Sequence, residues 1–425
     1  MKPLTVVTAV LTLLILALPT GAVYGQNTPP LPPLSPNASV FATGLNNPRG
    51  LKLGPDGTLY VAEGGTGGAT STRGKCRQVP APIGPYRGSP TGSRISRIDA
   101  SGTRTTVASG FPSSQTSKGS GSLVSGVADI AFIGQTLYAL SAGAGCSHGV
   151  SGTPNAVVRV NPDGSHTMIA NLSAFLKAHP VAHPEADDFE PDGTFYSMIA
   201  HSGKLYIVEP NHGELDEVAL NGTMRRVIDI SASQGHVVPT AVAYRNGTFY
   251  VGNLAPFPVK HGKSMIYRIT PAGKISVAVG GLAAVVGVAF DRQGQLYVLE
   301  TSTVDNQAPV PGTGEVVRVT SAGGREVIAS GLVFPSSMAF GSDGNLYVSN
   351  FGFGFPPGKG EIVRVNLQPA NTGGGPASLP NTGHTGTGTM ALVAAAGVLL
   401  CSGASLSLLR RRTTKKGVPR SLHHG

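Results

Sequence analysis

A six-fold repeat is the feature of this 425-residue sequence that most restricts its fold. Each repeat contains a short apolar strand with a central tyrosine, and most copies follow a Gly-containing turn that supplies the positive φ of a tight hairpin. The six copies are Leu59-Tyr60-Val61, Leu137-Tyr138-Ala139, Leu205-Tyr206-Ile207, Phe249-Tyr250-Val251, Leu296-Tyr297-Val298 and Leu346-Tyr347-Val348. Another apolar stretch precedes each turn, so every copy is predicted to be the second strand of a hairpin.

Each repeat continues with a variable insert, a third strand and, in many copies, a fourth strand. Val157-Val158-Arg159-Val160 and Val316-Val317-Arg318-Val319 are examples of the third strand, and Thr106 to Gly110 and Val327 to Leu332 are examples of the fourth. Four short strands in repeats of roughly 45 to 75 residues are typical of propeller blades. We therefore predict an all-β fold, a six-bladed β-propeller.

The two ends of the repeat region complement each other. The last unit has a third strand at Ile362 to Val365 but no fourth strand, whereas Val40 to Leu45 matches the fourth-strand pattern and precedes the first unit. Pairing this N-terminal strand into the last blade closes the ring and removes two sheet edges. The propeller is expected to span residues 39–366.

The first 25 residues have the three-part layout of a signal peptide. Lys2 precedes an apolar core from Leu4 to Leu18, and small residues follow it, which predicts cleavage before Gln26. The alternative is a retained membrane anchor, although about 15 apolar residues fall short of the ~20 that a spanning helix needs. Residues 26–38 are predicted to be a Pro-rich linker.

The C-terminal segment has the order of parts found in a cell-wall sorting signal. A spacer (367–378) precedes Leu379-Pro380-Asn381-Thr382-Gly383, which is followed by an uncharged apolar stretch at 390–409 and a basic tail at 410–425. The apolar stretch is long enough to stay in the bilayer, and the basic tail stays cytoplasmic. The similarity to sorting signals implies that a sortase cleaves after Thr382 and joins the chain to peptidoglycan. A simple membrane anchor is the alternative.

The net charge of +10 does not indicate nucleic-acid binding. All 22 acidic residues lie between Gln26 and Thr382, whereas Lys2 and the tail hold seven of the 32 basic residues. The exported part is therefore close to neutral, and the basic excess belongs to the segments that direct membrane topology. We expect no nucleic-acid partner, and we expect a monomer because the sequence carries no signal for oligomerisation.

Two of the three cysteines are candidates for a disulfide. Cys401 lies in the sorting span, so Cys76 and Cys146 remain as the pair in the exported part. An oxidising extracellular setting favours a bridge between them, which would join two long loops. Two separate thiols are the alternative.

One face of the propeller is expected to collect polar side chains, because the start of each inner strand lies beside the end of the second strand. These positions supply oxygen atoms suited to Ca²⁺ or to a small polar ligand. The candidate ligands are Glu63, Asp129, Glu209, Asn253, Glu300 and Asn350. The alternative is that these groups and water line the channel, as is usual in propellers.

A loop with two histidines is a second candidate metal site. His179 and His183 lie close to the acidic run from Glu185 to Glu190, and such residues can bind Zn²⁺. Proline follows each histidine, so the pair need not share a face, and a solvated acidic loop is the favoured interpretation. The sequence contains no G-x-S-x-G, no H-E-x-x-H and no phosphate-binding glycine loop.

Three phrases resemble a known family. Leu45 to Leu51 (LNNPRGL), Leu53 to Glu63 (LGPDGTLYVAE) and Leu346 to Gly352 (LYVSNFG) look like the ScyD/ScyE family, which is named from scytonemin biosynthesis clusters and related to NHL-type propellers. The resemblance covers essentially the whole repeat region and implies a secreted six-bladed propeller, but no settled reaction. Members often pair cysteines within the first insert, where this chain has Cys76 alone and Cys146 as the possible partner.

These observations favour a wall-anchored binding propeller whose inserts contact a small molecule, a glycan or a protein. The rival hypothesis is a metal-dependent, lactonase-like hydrolase that uses Glu63, Glu209, Asn253 and Asp129 as ligands. A structural role in an extracellular matrix is a third possibility. The enzyme needs these carboxylates to converge on one point, whereas the binding module needs only an exposed concave face.

Overall fold

The computed structural model describes residues 30–118, 121–320 and 323–367. The predicted signal peptide, the start of the linker, the wall spacer from residue 368, the sorting motif, the apolar stretch at 390–409 and the basic tail lie outside the described residues. Within the described ranges, none of the helices has the length and apolar character needed to span a membrane.

The strands form six antiparallel sheets, each with at least four strands. The first three blades contain β2 (Pro48–Leu53), β3 (Leu59–Glu63), β4 (Arg87–Ile98), β5 (Arg104–Gln115) and β6 (Val124–Ser125); β7 (Val127–Ile133), β8 (Thr136–Ser141), β9 (Ala156–Val160) and β10 (His166–Asn171); and β11 (Ser197–His201), β12 (Lys204–Glu209), β13 (Glu214–Val218) and β14 (Met224–Asp229). Helices α1 (Leu172–Ala178) and α2 (Ser231–Gln234) follow blades 2 and 3.

The last three blades repeat the four-strand plan. They contain β15 (Pro239–Arg245), β16 (Thr248–Asn253), β17 (Ser264–Ile269) and β18 (Ile275–Leu282); β19 (Val285–Phe290), β20 (Leu296–Glu300), β21 (Gly314–Val319) and β22 (Arg325–Leu332); and β23 (Ser337–Phe340), β24 (Leu346–Asn350), β25 (Gly360–Val365) and β1 (Ala38–Leu45). The predicted six-bladed propeller is therefore confirmed.

The N-terminal strand closes the ring, in agreement with the sequence pattern. Strand β1 pairs antiparallel with β25, with Ala38 opposite Val365 and Val40 opposite Val363. The inner strands contact one another in order around the axis, and β23 of the last blade contacts β2 of the first. The ring therefore has no gap between its first and last blades.

In three blades the repeated tyrosine packs against a phenylalanine of the next blade. Tyr60 makes an edge-to-face contact with Phe132 of blade 2 at 5.0 Å between ring centroids. Tyr250 with Phe290 and Tyr297 with Phe340 repeat this arrangement at 4.9 and 5.2 Å. Edge-to-face aromatic pairs contribute beyond the apolar area they bury, so packing between blades explains the tyrosine in these three repeats.

Two segments differ from the sequence-based expectation. The linker is expected to be a spacer, but from residue 30 onwards it lies on blade 5, where Pro32 packs against Gly312 and Ser35 N–H donates to the Ser330 carbonyl at 3.2 Å. In blade 1, β4 and β5 are twelve residues each, longer than the predicted fourth strand at Thr106 to Gly110. The extra length comes from the insert, because Arg87 pairs with Gln115 beyond the body of the blade.

Candidate functional site

The second strands end on the face where the inner strands begin, which we call the top face. Register shows this directly, since Pro48 lies opposite Glu63 and Val285 lies opposite Glu300. In three blades, the polar residue at the end of the second strand accepts a hydrogen bond from the backbone that leads into the inner strand of the same blade. Glu63 Oε2 accepts from Asn46 N–H at 2.6 Å, Glu209 Oε1 accepts from Thr194 N–H at 2.7 Å, and Asn350 Oδ1 accepts from Val333 N–H at 2.7 Å.

The remaining atoms of these side chains bond to the third strand or to a nearby loop. Glu63 pairs with Arg94 at 2.7 Å, Asn253 Oδ1 accepts from Met265 N–H at 2.7 Å, and Asn350 Nδ2 donates to Glu361 at 2.8 Å. Glu300 accepts a hydrogen bond from Ala283 N–H. Each of these five side chains thus bonds within its own blade.

The candidate carboxylates therefore do not gather into a group that could hold a metal ion. Among the residues the structure describes, no three His, Cys, Asp or Glu side chains are placed to hold a metal ion. The physical reason is that the carboxylates at the strand ends accept hydrogen bonds from nearby backbone N–H groups, and Glu63 also pairs with Arg94. The strand pattern places these residues on the top face, but it does not show that their side chains bond to groups within their own blades.

Asp129 is the exception, because it lies at the central channel and joins three blades. Its Oδ2 accepts from Lys52 Nζ of blade 1 at 2.8 Å and from Met198 N–H of blade 3 at 2.7 Å. The approach of the strands is close here: a Cβ on Gly50 would lie 1.9 Å from Asp129 Oδ1. Glycine is therefore required at position 50 for the carboxylate to reach its partners.

Two further side chains narrow the channel above Asp129. Arg49 is buried and donates to the Val124 carbonyl, and Tyr196 donates from its hydroxyl to the Ser336 carbonyl at 2.7 Å. Burial raises the pKa of Tyr196, so its phenol stays neutral. Small cavities of about 30 and 20 Å³ lie beside Arg49. The channel is therefore not an open pore at this level.

The predicted histidine site is dispersed. His179 stacks on Phe175 at 4.3 Å between ring centroids, and His183 is exposed, with its backbone N–H donating to Ser231 Oγ at 3.0 Å. In the acidic run, Glu185 pairs with His236 at 2.6 Å, whereas Glu190 points into a different, buried cluster. The loop is a set of local contacts rather than a Zn²⁺ site.

A buried polar cluster under the top-face loops has no counterpart among the sequence-based predictions. Tyr86 donates to Glu190 Oε1 at 2.7 Å, and His148 Nε2 lies 3.1 Å from Glu190 Oε2; all three side chains are fully buried. The neighbouring Asp192 accepts from Ser147 Oγ at 2.6 Å. These residues come from three separate inserts that share no repeat pattern, so the sequence offers no signal for the cluster.

A disulfide fastens this region. Cys76 in the insert of blade 1 is bonded to Cys146 in the insert of blade 2, with 6.3 Å between the Cα atoms. Cys146 begins a 3₁₀ turn that ends at His148. The bond therefore holds the first insert beside the buried cluster.

A cleft of about 310 Å³ opens on the top face next to the disulfide. Its walls are mainly apolar and include three prolines. The lining residues are Arg77, Leu176, Lys177, Pro180, Val181, Pro184, Phe189, Pro191 and His212. The Arg77 guanidinium lies 4.3 Å from the centroid of the Phe189 ring, and Lys177 pairs with Asp192 at 2.7 Å. The cleft thus combines an aromatic wall with a cation at its edge.

Fold and site together define this chain as a six-bladed β-propeller with a polar top face, without a metal cluster among the described residues. No family model matches the sequence, and no curated protein does so either. Three solved structures share its shape at low identity. They are a protein of unknown function from Bacteroides thetaiotaomicron (13% identity, 78% of this chain and 76% of that chain, TM-score 0.49), a gluconolactonase from Xanthomonas campestris (10%, 77% and 89%, 0.45) and the virginiamycin B lyase of Staphylococcus aureus (12%, 78% and 88%, 0.40). These similarities concern the fold alone.

Proposed function

We propose that this protein is a cell-surface binding module whose top-face cleft takes a small, largely apolar ligand that carries an anionic group. The observation that supports this most directly is the Arg77–Phe189 pair at the edge of the cleft. The cleft has a volume of about 310 Å³, which is at the lower end of the range of small-molecule sites. Such sites are mostly apolar, with a few polar groups that orient the ligand.

The charges at the cleft favour an anionic group on the ligand. Lys177 is already paired with Asp192, whereas Arg77 has no carboxylate within 4.0 Å among the described residues. Arg77 is exposed, so its guanidinium can face both the Phe189 ring and a ligand. A carboxylate or sulfonate would complete this arrangement, because a planar guanidinium pairs well with such groups.

The rival hydrolase hypothesis has less support. It requires Glu63, Glu209, Asn253 and Asp129 to face one point, but these side chains bond to separate strands and loops. A binding module needs no such convergence. The cleft also lies beside the disulfide, so its walls are held in place before a ligand arrives.

The fluorescent probe anilinonaphthalene sulfonate tests the cleft because it joins aromatic rings to a sulfonate. We expect saturable binding that weakens at least tenfold in Phe189→Ala and about fivefold in Arg77→Gln, the latter being the loss of about 1 kcal/mol of cation–π and ionic contact. Arg245→Gln is the matched control, since Arg245 lies over Phe290 in another blade at 5.4 Å. Equal binding by the wild type and Phe189→Ala would refute the proposal.

Display at the cell wall is the second part of the proposal. It is supported by the order of sorting motif, apolar stretch and basic tail in the sequence. We expect the wild-type chain to be released from cells by a peptidoglycan hydrolase, and Thr382→Ala to remain in the membrane fraction. Thr385→Ala, just outside the motif, is the control and should behave as wild type. Detergent release of the wild-type chain would instead support the simple membrane anchor.

A further inference from the structure

Arg49 places a positive charge at the centre of the propeller. Its side chain is 6% exposed, and its guanidinium donates to the Val124 carbonyl. Burial lowers the pKa of Arg49, but an arginine remains protonated in a protein. A buried charge is costly unless an opposite charge is close to it.

The described residues supply no such charge. None of their carboxylate oxygens lies within 4.0 Å of the Arg49 nitrogens, and the electrostatic neighbours of the guanidinium include Tyr196 and Tyr86. Burial keeps the phenol of Tyr196 neutral by raising its pKa. Tyr196 therefore carries no negative charge that could balance Arg49.

Asp129 is the acidic side chain in the wall of the same cavity, but its charge is already balanced. Lys52 Nζ lies 2.8 Å from its Oδ2, and the backbone N–H groups of Ile130 and Met198 donate to its two oxygens at 2.8 and 2.7 Å. With Lys52 and Arg49 positive and Asp129 negative, the cavity wall carries one excess positive charge.

The cavity beside Arg49 has room for a small occupant. Its volume is about 30 Å³, and Arg49, Lys52, Tyr196, Ser336 and Ser337 are among the residues of its wall. A cavity needs about 10–15 Å³ to hold one water-sized particle, so one or two such particles fit here. Lys52 is partly exposed, which places this end of the cavity near solvent.

We propose that the central cavity is a binding site for one small monovalent anion of the size of chloride, held by Arg49 and balanced against the Lys52–Asp129 pair. The site is separate from the top-face cleft, because the two share no lining residue. The bound anion neutralises the excess charge of the wall and stabilises the closed ring.

Chloride-35 NMR on the full chain in a nonionic detergent tests this directly. Bound chloride broadens the resonance of the free ion, and we expect excess broadening that bromide displaces. Replacing gluconate by chloride at constant ionic strength should also raise Tm by about 2–4 °C once chloride exceeds its Kd about tenfold. Wild-type protein without excess broadening, or with broadening that bromide leaves unchanged, overturns the proposal without any variant.

Variants assign the site to Arg49. Arg49→Gln should abolish both the excess broadening and the chloride-dependent rise in Tm, and Arg49→Lys should weaken them while retaining the charge. Arg318→Gln is the matched control, since Arg318 pairs with Glu326 on the outer part of blade 5, and it should bind chloride as the wild type does. If Arg49→Gln does not fold, Arg49→Lys carries the test. Unchanged chloride binding in folded Arg49→Gln or Arg49→Lys would show that the anion binds elsewhere.

Discussion

Glu300 on β20 lies opposite Glu315 on β21, and the two carboxyl groups are close enough for each to affect the pKa of the other. Burial raises the pKa of Glu300 to about 7, and it also raises that of Glu315. Blade 3 has a related pair: burial raises the pKa of Glu214 to about 8 and the pKa of Asp216 well above its usual range. These acids hold protons in the folded protein at pH values where an unfolded chain has released them.

The free energy of unfolding should therefore decrease as pH rises from about 5 to about 8. The folded-state pKa of Glu300 and Glu214 lies above the ordinary value of 4.5, so the folded state binds more protons within this window. Each such proton contributes a slope of at most about 1.4 kcal/mol per pH unit. Urea unfolding, followed by circular dichroism at several pH values, measures this dependence of the free energy of unfolding on pH.

Glu300→Gln tests the origin of that slope. The amide keeps an acceptor for Ala283 N–H and a donor toward Glu315, but it does not titrate. We expect a flatter dependence between pH 5 and 7 than in the wild type. Glu326→Gln, which changes an exposed acid on β22, is the control and should leave the slope as it is. Identical slopes in the wild type and Glu300→Gln would mean that this pair does not hold the proton.

Closure of the ring should be sensitive to Leu45, the larger of the two buried side chains of β1. Leu45 is fully buried, and Leu45→Ala is expected to lower the free energy of unfolding by about 2–5 kcal/mol through lost contacts and a cavity. Val40 in the same strand is 48% exposed, so Val40→Ala should cost less than about 1 kcal/mol. Chemical denaturation of both variants makes the comparison. Similar losses would argue against the β1–β25 pairing as the closing contact.

Gly50→Ala should damage the channel. The added Cβ would lie 1.9 Å from Asp129 Oδ1, so the carboxylate or the strand must move, and overpacking of this kind costs about 1–3 kcal/mol. Gly280→Ala is the control, because no atom of a described residue lies within 4 Å of the place that its new methyl group would take. Thermal unfolding of both variants should show a clearly lower Tm for Gly50→Ala and an unchanged Tm for Gly280→Ala. Equal Tm values would indicate that Asp129 is not fixed in this position.

Removing the disulfide should destabilise the propeller and loosen the cleft. The bond joins residues 70 positions apart, and the loss of a native disulfide typically costs about 2–5 kcal/mol. The double variant Cys76→Ser/Cys146→Ser should therefore unfold at lower urea concentration and bind the fluorescent probe more weakly. Unchanged stability and probe binding would show that the inserts hold their positions without the bond.

The fold is predictable from the sequence because its signals are local and repeated. The tyrosine strand appears in every blade, and Val40 to Leu45 carries the fourth-strand pattern that the last unit lacks. The candidate functional residues have no such repetition. The strand pattern places Glu63 and Glu209 on the correct face, but their bonds to Asn46 and Thr194 depend on loop paths that a strand pattern does not describe.

The cleft and the buried cluster could not be predicted from the sequence, for a related reason. Arg77 and Phe189 lie in inserts of different blades, and they meet only because the ring brings those blades together. Arg49 is recognisable as the start of an inner strand, but its neighbour Tyr196 comes from two blades away. Contacts between inserts of unrelated sequence become visible only in three dimensions.

The pairing of β1 with β25 also determines the order of events when the protein is made. The strand that leaves the ribosome first has its partner near the end of the domain, so it must wait while five blades and most of the sixth are synthesised. Contacts so distant in sequence form slowly, because the intervening chain must be ordered first. In a partly made chain β1 therefore has no partner, and the ring stays open until β25 has been synthesised.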